Sequence, residues 1–197
     1  MSVLVFAESS EGKFKKTALE VTSYGKKVAE QMGTNLVVLT INSNEASILY
    51  NYGAEKVLTI TNKALNPFNA KIYANIVKQA AEKESAKVVI IDSNANGLYF
   101  APVVAANLNA GFASNVIALP SSTAPFTVKR KTFSNKAFNN TQILTDVKVI
   151  ALAKNAYGLV ENKVSGTTEE FSPVLVESNL VSTSIEQTSG KVTIADA

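Results

Sequence analysis

Cysteine and histidine are both missing from this chain, so any chemistry must rest on carboxylates, lysines, tyrosines, main-chain amides or a bound cofactor. Disulfides, thiolate nucleophiles, iron–sulfur clusters and cysteine-based zinc sites are excluded. Ser-His-Asp and Cys-His catalysis are excluded as well, and neither a catalytic residue nor a metal site is expected. The polar residues that could bind something sit in loops. Ile91-Asp92-Ser93-Asn94-Ala95-Asn96-Gly97 runs from an apolar strand pattern through small polar residues into a helix pattern. Amides at a helix start lack an intrahelical acceptor, so Asp92, Ser93, Asn94, Asn96 and Gly97 form a candidate loop for a nucleotide or a partner. The competing reading is that Ser93, Asn94 and Asn96 cap the helix and consume those donors themselves, and it outweighs the ligand site. Asp92 is a lone carboxylate without an evident partner, and Glu8 and Ser9 read by default as loop solvation. Tyr50, Tyr52 and Tyr99 read as packing residues with a wet hydroxyl rather than as flavin-stacking platforms. Neither G-x-G-x-x-G nor G-x-x-x-x-G-K-[ST] occurs.

These loops need a frame, and the apolar pattern supplies one. Val3–Ala7, Leu36–Ile41, Lys56–Ile60 and Val88–Ile91 read as strands, the apolar runs among them as strands buried on both faces. Between them, Ala18, Val21, Tyr24, Val28 and Met32 mark a helix ending near Gly33, a short helix spans Glu45 to Tyr52, and Ile72, Ile76, Val77 and Ala80 mark another helix. An Ala-rich helix follows from about Leu98 to Leu108. Alternation of this kind predicts an α/β fold, a three-layer sandwich with a mostly parallel sheet of the adenine nucleotide alpha hydrolase-like type. From Phe112 the texture changes: Val116–Leu119, Phe126–Phe133, Thr141–Leu144 and Val147–Leu152 read as strands joined by short links, predicting antiparallel hairpins added at one side.

The chain has 197 residues, 46% of them hydrophobic, and a formal charge of +3, ample for a core and weak for nucleic acid. Its cations are dispersed apart from Lys129-Arg130-Lys131, which reads as a solvated strand edge. No apolar run suggests a membrane span, and the start lacks a secretory pattern, so a cytoplasmic protein is expected. The expected division is a core over 1–153 and an extended acidic segment over 154–197 packing on it. Residues 157–197 carry six acids against two lysines, and Val174–Val176 and Val192–Ile194 are candidate strands there.

Several segments carry a family resemblance. Val3-Leu-Val-Phe-Ala-Glu8 followed by Gly12-Lys13, and Tyr52-Gly-Ala-Glu-Lys-Val-Leu58, resemble electron transfer flavoprotein alpha subunits. The fullest match is Asn94 to Val116, which resembles that family's loop, Ala-Pro helix, Ala-Gly turn and Ser-Asp-Val strand in the same order. Lys131–Ala137 falls where the family has a Tyr-Ala-Gly-like turn. Two departures stand out: Gly97-Leu98-Tyr99 replaces Gly-Arg-Asp, and Phe133–Asn135 replaces the typical Tyr and Gly. The resemblance implies an amino-terminal alpha domain that pairs with a similarly folded beta subunit. It also implies FAD in the full-length heterodimer, held mainly by a second alpha domain that would follow residues 154–197, with none bound by these residues alone. Electrons would pass from acyl-CoA and related dehydrogenases through the FAD to a quinone oxidoreductase. The alternatives are an adenine-nucleotide-binding module of the stress-protein type and a purely structural interaction domain.

Overall fold

A computed structural model describes residues 1–180 and 182–184. Among these residues, twelve strands and three α-helices follow one another. The first half contains β1 (Ser2–Phe6), the two-residue strands β2 (Ser9–Ser10) and β3 (Lys13–Phe14), α1 (Lys16–Gln31), β4 (Asn35–Ile41), β5 (Lys56–Ile60), α2 (Ala70–Lys83), β6 (Ala86–Asp92) and α3 (Ala95–Asn107). Then come β7 (Gly111–Val116), β8 (Ser122–Thr123), β9 (Phe126–Thr132), β10 (Ala137–Ile143), β11 (Lys148–Leu152) and β12 (Thr167–Glu170). The short helix expected after β4 is a 3₁₀ segment, Ala46–Asn51.

The main sheet has the order β10-β9-β7-β11-β6-β1-β4-β5-β12, with β8 paired to β9. Pairings from β7 to β12 are parallel, and those involving β8, β9 and β10 with one another or with β7 are antiparallel. Each face of the sheet buries its own apolar cluster. One cluster joins Val5, Val38 and Ile90 to Val21, Tyr24 and Val28 of α1. The other joins Leu4, Leu39, Val89 and Val149 to Ile76 and Val77 of α2 and Phe100 and Val104 of α3. The three layers follow from strands that are apolar on both faces. Gly25 lets α1 lie close to the sheet, since a Cβ there would stand 2.4 Å from Val5 Cγ2.

The hairpin expectation needs correction. Only β8, β9 and β10 form an antiparallel extension; β11 returns to the interior, parallel to both β6 and β7. Its Val149–Leu152 run is buried throughout, which suits a central strand and not an added edge hairpin. The strand expected at Val116–Leu119 lies earlier, over Gly111–Val116. Among the described residues of the carboxyl-terminal stretch, the strand is β12 and not Val174–Val176, where Val174 is 76% exposed. Thr167–Glu170 has no apolar alternation because main-chain pairing to β5 and the pairs from Glu169 to Lys56 and Lys83 hold it. The candidate strand Val192–Ile194 lies outside the described residues.

Candidate functional site

From β1 the chain steps first to β4 and β5 on one side and later to β6 on the other, so the loops after β1 and β6 diverge. A crevice at such a switch point is where open α/β sheets hold ligands. A cleft of about 810 Å³ opens there. Its walls include Glu8 and Ser9 after β1, Ile41 and Asn42 after β4, Leu65, Asn66 and Phe68 before α2, and Asn94 and Asn96 at the start of α3. Phe6, Phe68, Tyr73 and Phe100 pack edge to face at the cleft's base, with ring centroids 5.0 to 6.3 Å apart. Tyr73 donates its hydroxyl to the Leu65 carbonyl at 2.8 Å, and burial, then the charge of Glu8, pushes its pKa up to about 12.

The loop after β6 is tied into one network. Asn94 caps α3: its Oδ1 accepts the Gly97 N–H at 2.7 Å. The Asn94 Nδ2 donates to Asp92 Oδ2 at 2.9 Å and also to Glu8. Asn96 donates to the other oxygen of the Glu8 carboxylate. Ser93 donates its N–H to the Leu152 carbonyl at 2.8 Å, while its buried hydroxyl has no partner among the described residues. Gly97 is required by proximity, since a Cβ would fall 1.9 Å from the Asp92 carbonyl oxygen. The five loop residues and Glu8 therefore come together. Tyr50 and Tyr52 lie elsewhere, against residues 162–168, and Tyr99 is 72% exposed.

Asp92 is buried, and desolvation, then the nearby charge of Glu8, raises its pKa to about 6. The folded state thus binds this proton more tightly than the unfolded state, whose carboxyl titrates near 3.8. The charged form costs stability above pH 6, and that cost disappears as pH falls through this window. Asp92→Asn is expected to stabilise the protein by about 2 kcal/mol at pH 8 and to flatten the change between pH 4 and 6. Urea unfolding across that range measures it; an unchanged pH profile contradicts it.

A second polar site has no counterpart in the sequence reading. Glu20, in mid-α1 and only 2% exposed, accepts the N–H groups of Asn155, Tyr157 and Gly158 at 2.8 to 2.9 Å. Ser23 exchanges hydrogen bonds with both main-chain groups of Val160, and Tyr157 packs edge to face on Tyr24. These contacts fasten the chain as it leaves β11. The spacing of Glu20 to the buried Tyr24, four residues on along the same helix face, was the available signal.

Residues 3–175 match the family described as the electron transfer flavoprotein domain. Protein FixB of Clostridium saccharobutylicum is 32% identical over 115 residues, covering 57% of this chain and 34% of that protein. The electron transfer flavoprotein subunit alpha of Bacillus subtilis is 28% identical over 152 residues, covering 76% of this chain and 46% of that protein. Acryloyl-CoA reductase electron transfer subunit beta of Anaerotignum propionicum is 29% identical over 116 residues, covering 57% of this chain and 32% of that protein. The matches thus span about a third to a half of the length of these relatives. With the α/β sheet and the match running over most of its length, the chain belongs to the electron transfer flavoprotein domain family, as an amino-terminal domain of the alpha-subunit type.

Proposed function

We propose that this domain serves assembly within an electron transfer flavoprotein: it pairs with a beta subunit while FAD is held by a second alpha domain reached through residues 154–197. In the complete protein, electrons pass from acyl-CoA and related dehydrogenases through that FAD to a quinone oxidoreductase, in the cytoplasm. The protein's part is to position the flavin and set its potential, and the cofactor carries the electron. The observation that carries this reading is the start of α3, where a capping asparagine and two carboxylates stand. Asn94 consumes the Gly97 amide, and Glu8 and Asp92 place two carboxylates beside it. That donor set does not suit the diphosphate of a flavin dinucleotide, which needs free amides and no opposing carboxylate. In native mass spectrometry, the purified chain is expected at its apo mass; a stoichiometric flavin adduct overturns the reading.

A second reading, an adenine-nucleotide module of the stress-protein type, draws on the cleft of about 810 Å³ and its aromatic base. The same experiment with AMP or ATP tests it. Retention of one nucleotide per chain, lost in Phe68→Ala, favours the module; no retention at millimolar nucleotide removes it.

A further inference from the structure

The cleft at the switch point joins a polar corner to an apolar base. In the corner stands Glu8, half-buried. Each of its two carboxylate oxygens accepts one side-chain amide, from Asn94 and from Asn96. A carboxylate offers about four acceptor sites, so both oxygens keep capacity for a further donor. Among the described residues no lysine or arginine pairs with Glu8, while the buried carboxylate of Asp92 adjoins it through Asn94. Asn94 has nothing left for a ligand: its Oδ1 accepts the Gly97 N–H, and its Nδ2 is engaged by the two carboxylates. The start of α3 therefore already has an anion, supplied by the chain itself.

Charge and hydrogen bonding decide what such a corner recognises. A phosphate or carboxylate meets Glu8 and Asp92 as like charges. A metal ion needs more ligands than the corner has, and among the described residues no group of three acids could hold one. A primary ammonium only donates hydrogen bonds and carries the complementary charge. Lys15 is the one cation in the cleft's lining, against Glu8 and Glu11, and it is exposed. The base indicates the rest of the ligand. Ile41 and Leu65 are buried, and half-buried Phe68 packs edge to face on Tyr73 and Phe100. Tyr73 gives its hydroxyl to the Leu65 carbonyl, so this part of the wall offers ring and aliphatic carbon and no free polar group. A volume of about 810 Å³ lies within the range of small-molecule sites.

We propose that the cleft binds a small primary amine carrying an aromatic ring, with its ammonium group on Glu8 and its ring against Phe68. The charge-assisted bond to Glu8 fixes the orientation, and burial of the ring supplies most of the affinity. This site is additional to the docking of a beta subunit and does not depend on it.

The probe is phenylethylammonium, titrated at pH 7 into the 197-residue chain and followed by calorimetry and amide chemical shifts. One site per chain is expected, with shifts concentrated at Glu8, Phe68 and Asn96. Phenylethanol keeps the ring and loses the charge, and is expected to bind about tenfold more weakly, with phenylpropionate weaker still. Butylammonium, which has the shape of a lysine side chain, is expected to bind about tenfold more weakly than the probe. Glu8→Gln is expected to weaken the probe about tenfold, while Glu82→Gln, at an exposed carboxylate of α2, leaves it unchanged. The small molecules are compared on the unaltered chain, so the test survives a Glu8→Gln variant that fails to fold. Equal binding of the alcohol, preference for the propionate, or a folded Glu8→Gln variant that binds as the parent does overturns the ammonium site. Butylammonium binding as tightly as the probe makes a lysine side chain the occupant and overturns the ring-bearing ligand. Neither heat nor shifts with the probe at millimolar concentration overturns the proposal outright.

Discussion

Glu20→Ala is expected to destabilise the domain by about 4 kcal/mol, because three hydrogen bonds to a buried carboxylate vanish together. The amides of Asn155, Tyr157 and Gly158, on exposed or half-buried residues, lose their shared acceptor, and each amide left short of a partner costs free energy of its own. The loss is local before it is global. Residues 155–160 lose their hold on α1, so their amide exchange accelerates before the core yields. Glu20→Gln keeps an acceptor oxygen and is expected to cost about half as much. Urea unfolding with site-resolved exchange checks both; an alanine variant within about 1 kcal/mol of the parent refutes the clamp.

Gly97→Ala is expected to cost about 3 kcal/mol, although alanine is the better helix former. The added Cβ meets the carbonyl oxygen of Asp92 at 1.9 Å, a main-chain atom that cannot swing aside. Relief requires α3 to move from β6, breaking the Asn94 cap and its tie to Glu8. The variant is thus expected to unfold at lower urea and to show faster exchange over the first turn of α3. A stabilised variant means that the loop and helix move apart freely, contrary to the packing described.

Much of this architecture was legible in the sequence because buried parallel strands and amphipathic helices write themselves in periodic apolar residues. Lys56–Ile60 as read is the observed strand, and the helix ending near Gly33 ends at Gln31 with Gly33 at φ +62° just beyond. The Asn94 cap was legible too, since an asparagine before an apolar helix commonly serves the helix's own amides. The errors fall where position in the sheet, rather than local pattern, decides. Nothing local in Lys148–Leu152 says that it slots between β6 and β7, and short links had suggested hairpins. β12 was missed because Thr-Thr-Glu-Glu earns its place from β5 and two lysines far away in sequence. Glu8 beside Asn94 and Asn96, and Glu20 beneath residues 155–158, likewise join positions over eighty residues apart. Periodicity carries no information about such pairs.

A domain that serves assembly and leaves the flavin to other residues is expected to take up no stoichiometric FAD when the cofactor is titrated into the purified chain and followed by flavin absorbance and isothermal calorimetry. One tightly bound FAD per chain contradicts this and puts the cofactor site within these residues.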